Sequence, residues 1–471
     1  MKHRLFSPNI RFRKRLLATL LTAGLATACT LGPNYRKPSV QIPTAYPNRQ
    51  VQAKAMSYAD LPWWQVFQDP VLQSLIRTAL EQNFDLQVAT EHINAARAQL
   101  GLARASQFPQ VEANAGFSGE KSDEIPSKST FLSVTSDVAF QLDFFGQMRR
   151  ATEASRAQLL ANEEARRTVV VTLVSDVATD YFQLLSLDEQ YRIARATVRT
   201  QLDSVNLTFL LLDSGVANKL DVLQAEEVFD SAYVLIPDLE RQIGQEEDAI
   251  SILLGHYPYP VPRGRPLVEQ PFPPDVPPGM PSALLERRPD IRQAEQMLIA
   301  ANAEIGVAKA QYFPQISLTG SGGGAFGRSS LFSSLMSSQT SIWNYGLSAT
   351  QPIFDAGRRR SNVLLAKSQY QQALIAYQQS IQHAFGDVSD ALIGYQKLRQ
   401  VRLRWEDSVA HLEEAVRLAL IQYRGGTANY LQVLDCQRSL FSAQLSLARA
   451  RADEYLSIVQ LYKALGGGWQ Q

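Results

Sequence analysis

One stretch of this chain occurs twice. Residues 95–110, AARAQLGLARASQFPQ, return as residues 300–315, AANAEIGVAKAQYFPQ, so that Phe313 follows Phe108, and Pro314 follows Pro109, by 205 positions. Self-similarity of that length means a duplicated structural unit. In both copies an Ala-rich pattern of helical period runs into Phe-Pro-Gln and the period then drops to two, because proline disfavours helix in the residue before it. Each copy is therefore a hinge from helix to strand. The repeat continues downstream, where Ser214–Leu223 lies over Gly425–Leu434 at an offset of 211. Gly146 over Gly357 and Asp176 over Asp387 already run at 211, which places the six extra residues in the strand-and-loop part of the second copy. Two halves of one fold are implied rather than two unrelated domains.

Composition narrows the class. The formal net charge is +1, yet residues 1–28 carry six basic residues and no acidic one, so a processed chain would be near −5 and a poor partner for nucleic acid. Only Cys29 and Cys436 occur, which excludes a disulfide framework or a cysteine metal cluster. No apolar run of 18 residues follows position 30, so no transmembrane helix is expected.

The N-terminus orders a basic segment to Arg15, an apolar segment Leu16–Ala26 and small residues before Cys29, the layout of an export signal. Its ending, Ala26-Thr27-Ala28-Cys29, is similar to a bacterial lipobox, which implies diacylglycerol and an acyl chain on Cys29. Thr30, in place of aspartate, then implies the outer membrane. An ordinary signal peptide with a chance cysteine is the alternative. Leu31–Leu61 is punctuated by proline and reads as an extended strap over the surface.

Past the first hinge, Val111, Ala113, Ala115 and Phe117 alternate with polar or small residues, as do Leu132, Val134, Val138, Phe140 and Leu142. The second copy repeats this with Ile316 and Leu318, then with Trp343, Tyr345, Leu347 and Ala349. Strands of about ten residues with one apolar face suit a tilted membrane-spanning strand; two soluble hairpins packed on a core would show the same alternation. Gly320, Gly322, Gly323, Gly324 and Gly327 are expected in a mobile outer loop, and the GxGxxG spelling of Gly322–Gly327 likewise reads as loop, without βαβ context.

Long helices follow each hairpin. Met148–Asp213 has neither glycine nor proline, and Arg358–Arg424 has only Gly386 and Gly394. Such runs span about 100 Å at 1.5 Å per residue and need lateral support. Lys219–Leu254 and Tyr430–Leu465, read as single returning helices, supply it together with the pre-hinge helices. Cys436, Leu440, Ala443, Leu447 and Ala450 follow coiled-coil spacing, which makes Cys436 a core position. Pro258–Pro289 carries eleven prolines and reads as a linker crossing outside the helices. Arg149-Arg150 and Arg358-Arg359-Arg360 suit either lipid headgroups or solvated charge.

Several motifs together resemble a known family. Cys29-Thr30-Leu31-Gly32-Pro33-Asn34-Tyr35, Trp63-Trp64, LIRTALEQNFDL (75–86), Arg287-Arg288-Pro289-Asp290-Ile291, Phe354-Asp355-Ala356-Gly357-Arg358 and Tyr423-Arg424-Gly425-Gly426 are similar to the marks of the TolC/OprM-type outer membrane factors, exit ducts of Gram-negative tripartite efflux pumps. That resemblance implies a mixed α and β membrane protein with two tandem repeats, each carrying a two-stranded hairpin and long coiled-coil helices. Four strands cannot close a barrel, and open edges in lipid leave backbone groups unsatisfied. Three copies give twelve strands and begin to leave a lumen. The resemblance selects a homotrimer, with the barrel above an α-helical periplasmic tunnel. Along the chain the expected order is a signal peptide (1–28), a lipidated strap (29–62), a first repeat (63–254), a Pro-rich equatorial linker (255–285), a second repeat (286–466) and a tail (467–471).

The implied partners are a periplasmic membrane-fusion adaptor, an inner-membrane transporter and outer membrane lipid. The resemblance places the adaptor at the helical hairpin tips, Gly215, Val216, Ala217, Asn218 and Gly426, Thr427, Ala428, Asn429. It also places a closable aperture near them. The repeat offset pairs Asp213 with Arg424, and with Tyr423 beside them these opposite charges could latch neighbouring hairpins or simply be solvated. Scattered histidines and the lack of any catalytic motif argue against an enzyme or a resident cofactor. Small molecules such as drugs and toxic organics are the expected cargo. A protein-secretion duct and a pore-less periplasmic coiled-coil scaffold are the rival readings.

Overall fold

A computed structural model of the chain describes residues 30–40, 61–120, 129–272, 284–327 and 339–467. The expected signal peptide, the lipidation site Cys29, strap residues 41–60, linker residues 273–283 and most of the tail lie outside the described residues. The elements are α1 (Trp63–Val66), α2 (Pro70–Gln82), α3 (Phe84–Ala105), β1 (Gln110–Glu120), β2 (Ser129–Leu142), α4 (Gln147–Asp213), α5 (Lys219–Tyr233), α6 (Leu235–Leu253), α7 (Leu284–Arg287), α8 (Pro289–Ala310), β3 (Gln315–Gly327), β4 (Gln339–Thr350), α9 (Arg358–Arg424) and α10 (Tyr430–Ala464), with a 3-10 turn at Leu267–Glu269. The hinge helices α3 and α8 have 22 residues each, and α4 and α9 have 67 each, or about 100 Å.

Two compact units result, each drawing on both halves of the sequence: the described parts of Met1–Ser39, His92–Asn162 and Ala294–Tyr377, and those of Val40–Glu91, Glu163–Gln293 and Gln378–Gln471. In the first unit all four strands form one antiparallel sheet in the order β1-β2-β3-β4. The hairpin registers repeat residue for residue. Val111↔Val138, Ala115↔Val134 and Phe117↔Leu132 in the first become Ile316↔Ala349, Gly320↔Tyr345 and Gly322↔Trp343 in the second, at the sequence offsets of 205 and 211. The glycines expected in a mobile loop instead lie within β3, paired to β2 and β4. At Gly323 the reason is steric: a Cβ there would collide with the Val134 carbonyl. Gly320 and Gly322 pair with Tyr345 and Trp343, whose rings stack on each other 6.0 Å apart, and a Cβ at either glycine would be accommodated.

Still within the first unit, the start of each long helix is built alike. Asp143 accepts from the Arg149 N–H and pairs with its guanidinium at 3.3 Å, and Asp355 does the same for Arg359 at 2.7 Å. An acidic cap thus offsets the unfavourable placement of arginine at a helix N-terminus. Arg150 is neither at a headgroup nor solvated. It is 4% exposed, and it donates to the carbonyls of Leu31 and Gly32, to Asn34 Oδ1 at 2.7 Å and to Glu153. The strap segment 30–40 is held further by Asn302, which donates to the Pro33 carbonyl, and by Lys37, paired with Glu295 at 3.1 Å.

The second unit holds the main core. Leu72, Ile76, Val177, Tyr181, Leu184, Ile250, Leu254 and Tyr462 are almost fully buried there. One stretch of α4 is by length and composition apolar enough to cross a membrane, and 61% of it is buried inside the protein, as in a core helix. The first returning segment is not one helix, because α5 ends at Tyr233 and α6 begins at Leu235. Pro237 has no N–H to give and its ring opposes the carbonyl four residues back, so the break falls just before it. Its counterpart α10 runs unbroken for 35 residues. Cys436 is half-buried and packs against the cluster of Val433, Leu434 and Tyr430.

The described part of the linker crosses the outside of this unit with most of its residues exposed, and it is pinned by Val261 and Leu267, each 2% exposed. Asp69 organises it. This carboxylate caps α2 through the Val71 N–H at 2.8 Å and accepts from the Tyr181 hydroxyl at 2.9 Å, the Arg265 N–H at 3.2 Å and the Gln270 amide. Burial alone would raise its pKa, but these donors outweigh it and hold the group below the usual carboxylate range. Asp69→Ala strands several buried donors at once and should cost about 3 kcal/mol, read as a lower unfolding temperature by circular dichroism in detergent.

Two other carboxylates of this unit shift the opposite way. Burial, then the neighbouring Asp176, pushes Asp180 up to about 6, and burial, then Asp180, pushes Glu246 up to about 7. Between the unfolded value of about 4.3 and that raised value the folded state holds more protons, so this contribution declines as pH rises. Glu246→Gln removes the penalty; its gain in unfolding temperature over the parent should be larger at about pH 8 than at about pH 5.

Candidate functional site: the sheet and the helical hairpin tips

The sheet has two chemically distinct faces. The registers bring every apolar position singled out in the sequence to one face: Val111, Ala113, Ala115 and Phe117 of β1, Leu132, Val134, Val138, Phe140 and Leu142 of β2, Ile316 and Leu318 of β3, and Trp343, Tyr345, Leu347 and Ala349 of β4. This face is bare, with Leu347 70% and Tyr345 80% exposed. From Leu132 to Leu142 it runs about 34 Å along the strand, which at a tilt of about 45° crosses a hydrocarbon layer of about 25 Å. On the other face Asn114 donates to Asp137 at 2.6 Å, Thr135 donates to the same oxygen, and the Ser317 and Ser348 hydroxyls lie 2.7 Å apart. Outward edges of β1 and β4 have no strand beside them among the described residues.

The two hairpin tips of the second unit share one construction. Helix α4 closes in a Schellman motif: the Val216 N–H reaches the Leu211 carbonyl, the Gly215 N–H reaches that of Leu212, and Gly215 takes φ +72°. Helix α9 closes identically with Thr427 to Gln422, Gly426 to Tyr423 and Gly426 at φ +69°. Only glycine adopts that backbone without strain. Asn218 then caps α5 by accepting from the Asp221 N–H, with Asp221 answering in a capping box, and Asn429 caps α10 through the Gln432 N–H. The sequence reading named these asparagines only as tip residues. The signal for their role was present in Asn218-Lys219-Leu220-Asp221, an Asn-x-x-Asp box.

Of the aperture candidates, Tyr423 is half-buried within its own chain, its ring 5.1 Å from that of Tyr430 in the cluster with Val205 and Ala225. Burial, then the nearby Asp221, raises its pKa. Asp213 and Arg424 are exposed, and no hydrogen bond or ion pair joins them among the described residues. Large apolar side chains crowd the same tips in the open: Leu210, Val216, Leu220, Ile421 and Leu431 are all exposed.

A family model described as outer membrane efflux protein matches residues 75–256 and 280–467. The chain belongs to that family. It is 35% identical, over 97% of its own length and 96% of the relative's, to the toluene efflux pump outer membrane protein TtgC of Pseudomonas putida. It is 34% identical, over 97% and 99%, to the probable outer membrane lipoprotein SilC of Salmonella typhimurium. Its fold is that of the outer-membrane channel OprN, with a TM-score of 0.86, 32% identity and 94% and 100% of the two chains covered. This outer membrane efflux protein therefore has the two-repeat architecture of long helices and antiparallel strands of the channel family.

On the apolar face of the sheet, Val138→Lys should cost about 2–4 kcal/mol of insertion, whereas Thr135→Lys on the polar face should be tolerated. Outer membrane levels of the two variants, compared by immunoblot, check this.

Proposed function

We propose that this chain, as a lipid-anchored homotrimer, forms the exit duct of a tripartite efflux pump and passes small organic molecules from the periplasmic side to the exterior. The observation that carries the reading is the open four-stranded sheet with one apolar and one polar face. Its bare apolar face suits lipid, and three copies would close twelve strands around the polar faces of Asn114, Thr135 and Asp137. Cys29, next to the tethered strap residues Thr30–Asn34, would carry the diacylglycerol and acyl chain; one acyl chain binds marginally and several bind firmly.

The tips are the proposed docking points for a periplasmic adaptor, which in turn joins an inner-membrane transporter. Exposed Val216, Leu220 and Leu431 beside Gly215–Asn218 and Gly426–Asn429 give that partner an apolar purchase on rigidly capped turns. Asp213 and Arg424, exposed and not joined to each other among the described residues, would pair between neighbouring hairpins and close the aperture. Transport needs no bond-making in such a duct. The chain supplies a polar wall, an insulating lipid face and a gate, while the energy enters at the inner-membrane component.

In detergent the purified protein should have three times the chain mass, and in planar bilayers it should conduct ions. Arg424→Glu should raise the open fraction several-fold; an unchanged closed state rejects the latch. Deleting the gene should raise intracellular accumulation of apolar organic compounds. Accumulation of metal ions alone, or retention of a secreted protein, would reject the cargo reading.

A further inference from the structure

We infer the strand register with which β4 of one copy pairs with β1 of the next. The inference rests on the trimer reading above and adds to it which residues face one another. Its basis is the seam inside the chain. There β2, which ends the first hairpin, pairs with β3, which begins the second, through Ser136↔Gly322, Val138↔Gly320, Ala139↔Thr319 and Leu142↔Ile316. The seam between copies would join the end of a second hairpin to the beginning of a first, so it is the same junction with the repeats exchanged. The hairpin registers fix how positions convert, since β1 maps onto β3 by 205 and β2 onto β4 by 211 in every pair the two hairpins share.

Applying those offsets to the internal seam turns Ser136↔Gly322 into Leu347 against Phe117 of the next copy. Val138↔Gly320 becomes Ala349 against Ala115, and Ala139↔Thr319 becomes Thr350, the last residue of β4, against Asn114. Independent features agree. Side-chain direction alternates along a strand, so a shift of one residue would turn one copy's apolar face inward. The derived register instead keeps Leu347, Ala349, Phe117 and Ala115 on one face and Thr350 and Asn114 on the other. Phe117 and Leu347, which it brings together, are uncovered in the single chain, 66% and 70% exposed.

Barrel geometry supplies a further argument. Following the registers from Val111 through Val138 arrives at Gly320, which lies four residues beyond Ile316, the counterpart of Val111. The derived seam adds the same four-residue stagger, because Gly320 pairs with Tyr345 and Tyr345 then faces Gly119 of the next copy, eight residues beyond Val111. Stagger and tilt are linked in a closed barrel, so an even stagger lets all strands share one tilt. Registers shifted by two residues would keep the faces but break that evenness.

Directly opposed positions have Cβ atoms about 5 Å apart and diagonal ones about 7–8 Å, so a disulfide separates these registers. In outer membranes holding the full-length Cys436→Ala protein, the pairs Ala349→Cys with Ala115→Cys and Thr350→Cys with Asn114→Cys should each oxidise to a covalent trimer. The shifted pairs, Ala349→Cys with Ala113→Cys and Ala349→Cys with Phe117→Cys, should crosslink at least about tenfold less. The two matched pairs sit on opposite faces, so one that disturbs insertion leaves the other as the test. Stronger crosslinking of a shifted pair overturns the register and leaves the trimer standing. A protein that light scattering finds monomeric, with no crosslink at any pair, overturns both.

Discussion

The structure depends on one requirement, that no backbone N–H or carbonyl stays unpaired in hydrocarbon. Within the chain β2 and β3 are satisfied on both sides, while β1 and β4 each keep an outward edge. In water such edges cost little; in lipid each unpaired group costs several kcal/mol. Four strands are too few to curl back on themselves, so the edges can only be closed by other copies. Much else follows from that closure. A polar face needs a cavity to look into, and an apolar face needs lipid.

How much of this the sequence disclosed depends on how local each signal is. Phe-Pro-Gln hinges, two runs nearly free of glycine and proline, and Gly-to-Asn turns are all set within a few residues, and the hinges, the 67-residue helices and the capped tips lie where those signals put them. Alternating periodicity likewise gave the apolar face its full membership. Local logic failed where a long-range contact decides. Gly320–Gly324 looks like loop until β2 and β4 are laid beside it, and only the proximity of Val134 makes glycine necessary at 323. Arg150 looks like surface charge until the strap arrives from more than a hundred residues away to take its donors. Pro237 is a local signal as well, and the break between α5 and α6 falls just before it.

The tips show a middle case. Their glycines and asparagines were legible as turn residues, and the two Schellman closures with asparagine caps give them rigidity without any tertiary partner. Function at such a site comes from what rigid turns expose. Tyr423 is committed to its own chain by packing on Tyr430, which fixes the backbone beside Arg424. Asp213 and Arg424, on equivalent positions of the two repeats, are exposed beside those turns.

Duplication alone would make the junction inside a chain and the junction between chains interchangeable, and a barrel built that way would not fix which hairpin begins a copy. The strap removes the ambiguity. It is bound by Arg150 at the start of the first long helix and by Glu295 and Asn302 on the second hinge helix, and so marks the internal seam. The residue that replaces Arg150 in the second repeat is Ser361, at the same offset of 211, and it cannot supply the guanidinium donors that hold Leu31, Gly32 and Asn34. The chain segment that follows Cys29 is therefore fixed against the internal junction by a residue found in only one repeat. An acyl anchor on Cys29 would reach the membrane beside that junction, once per copy.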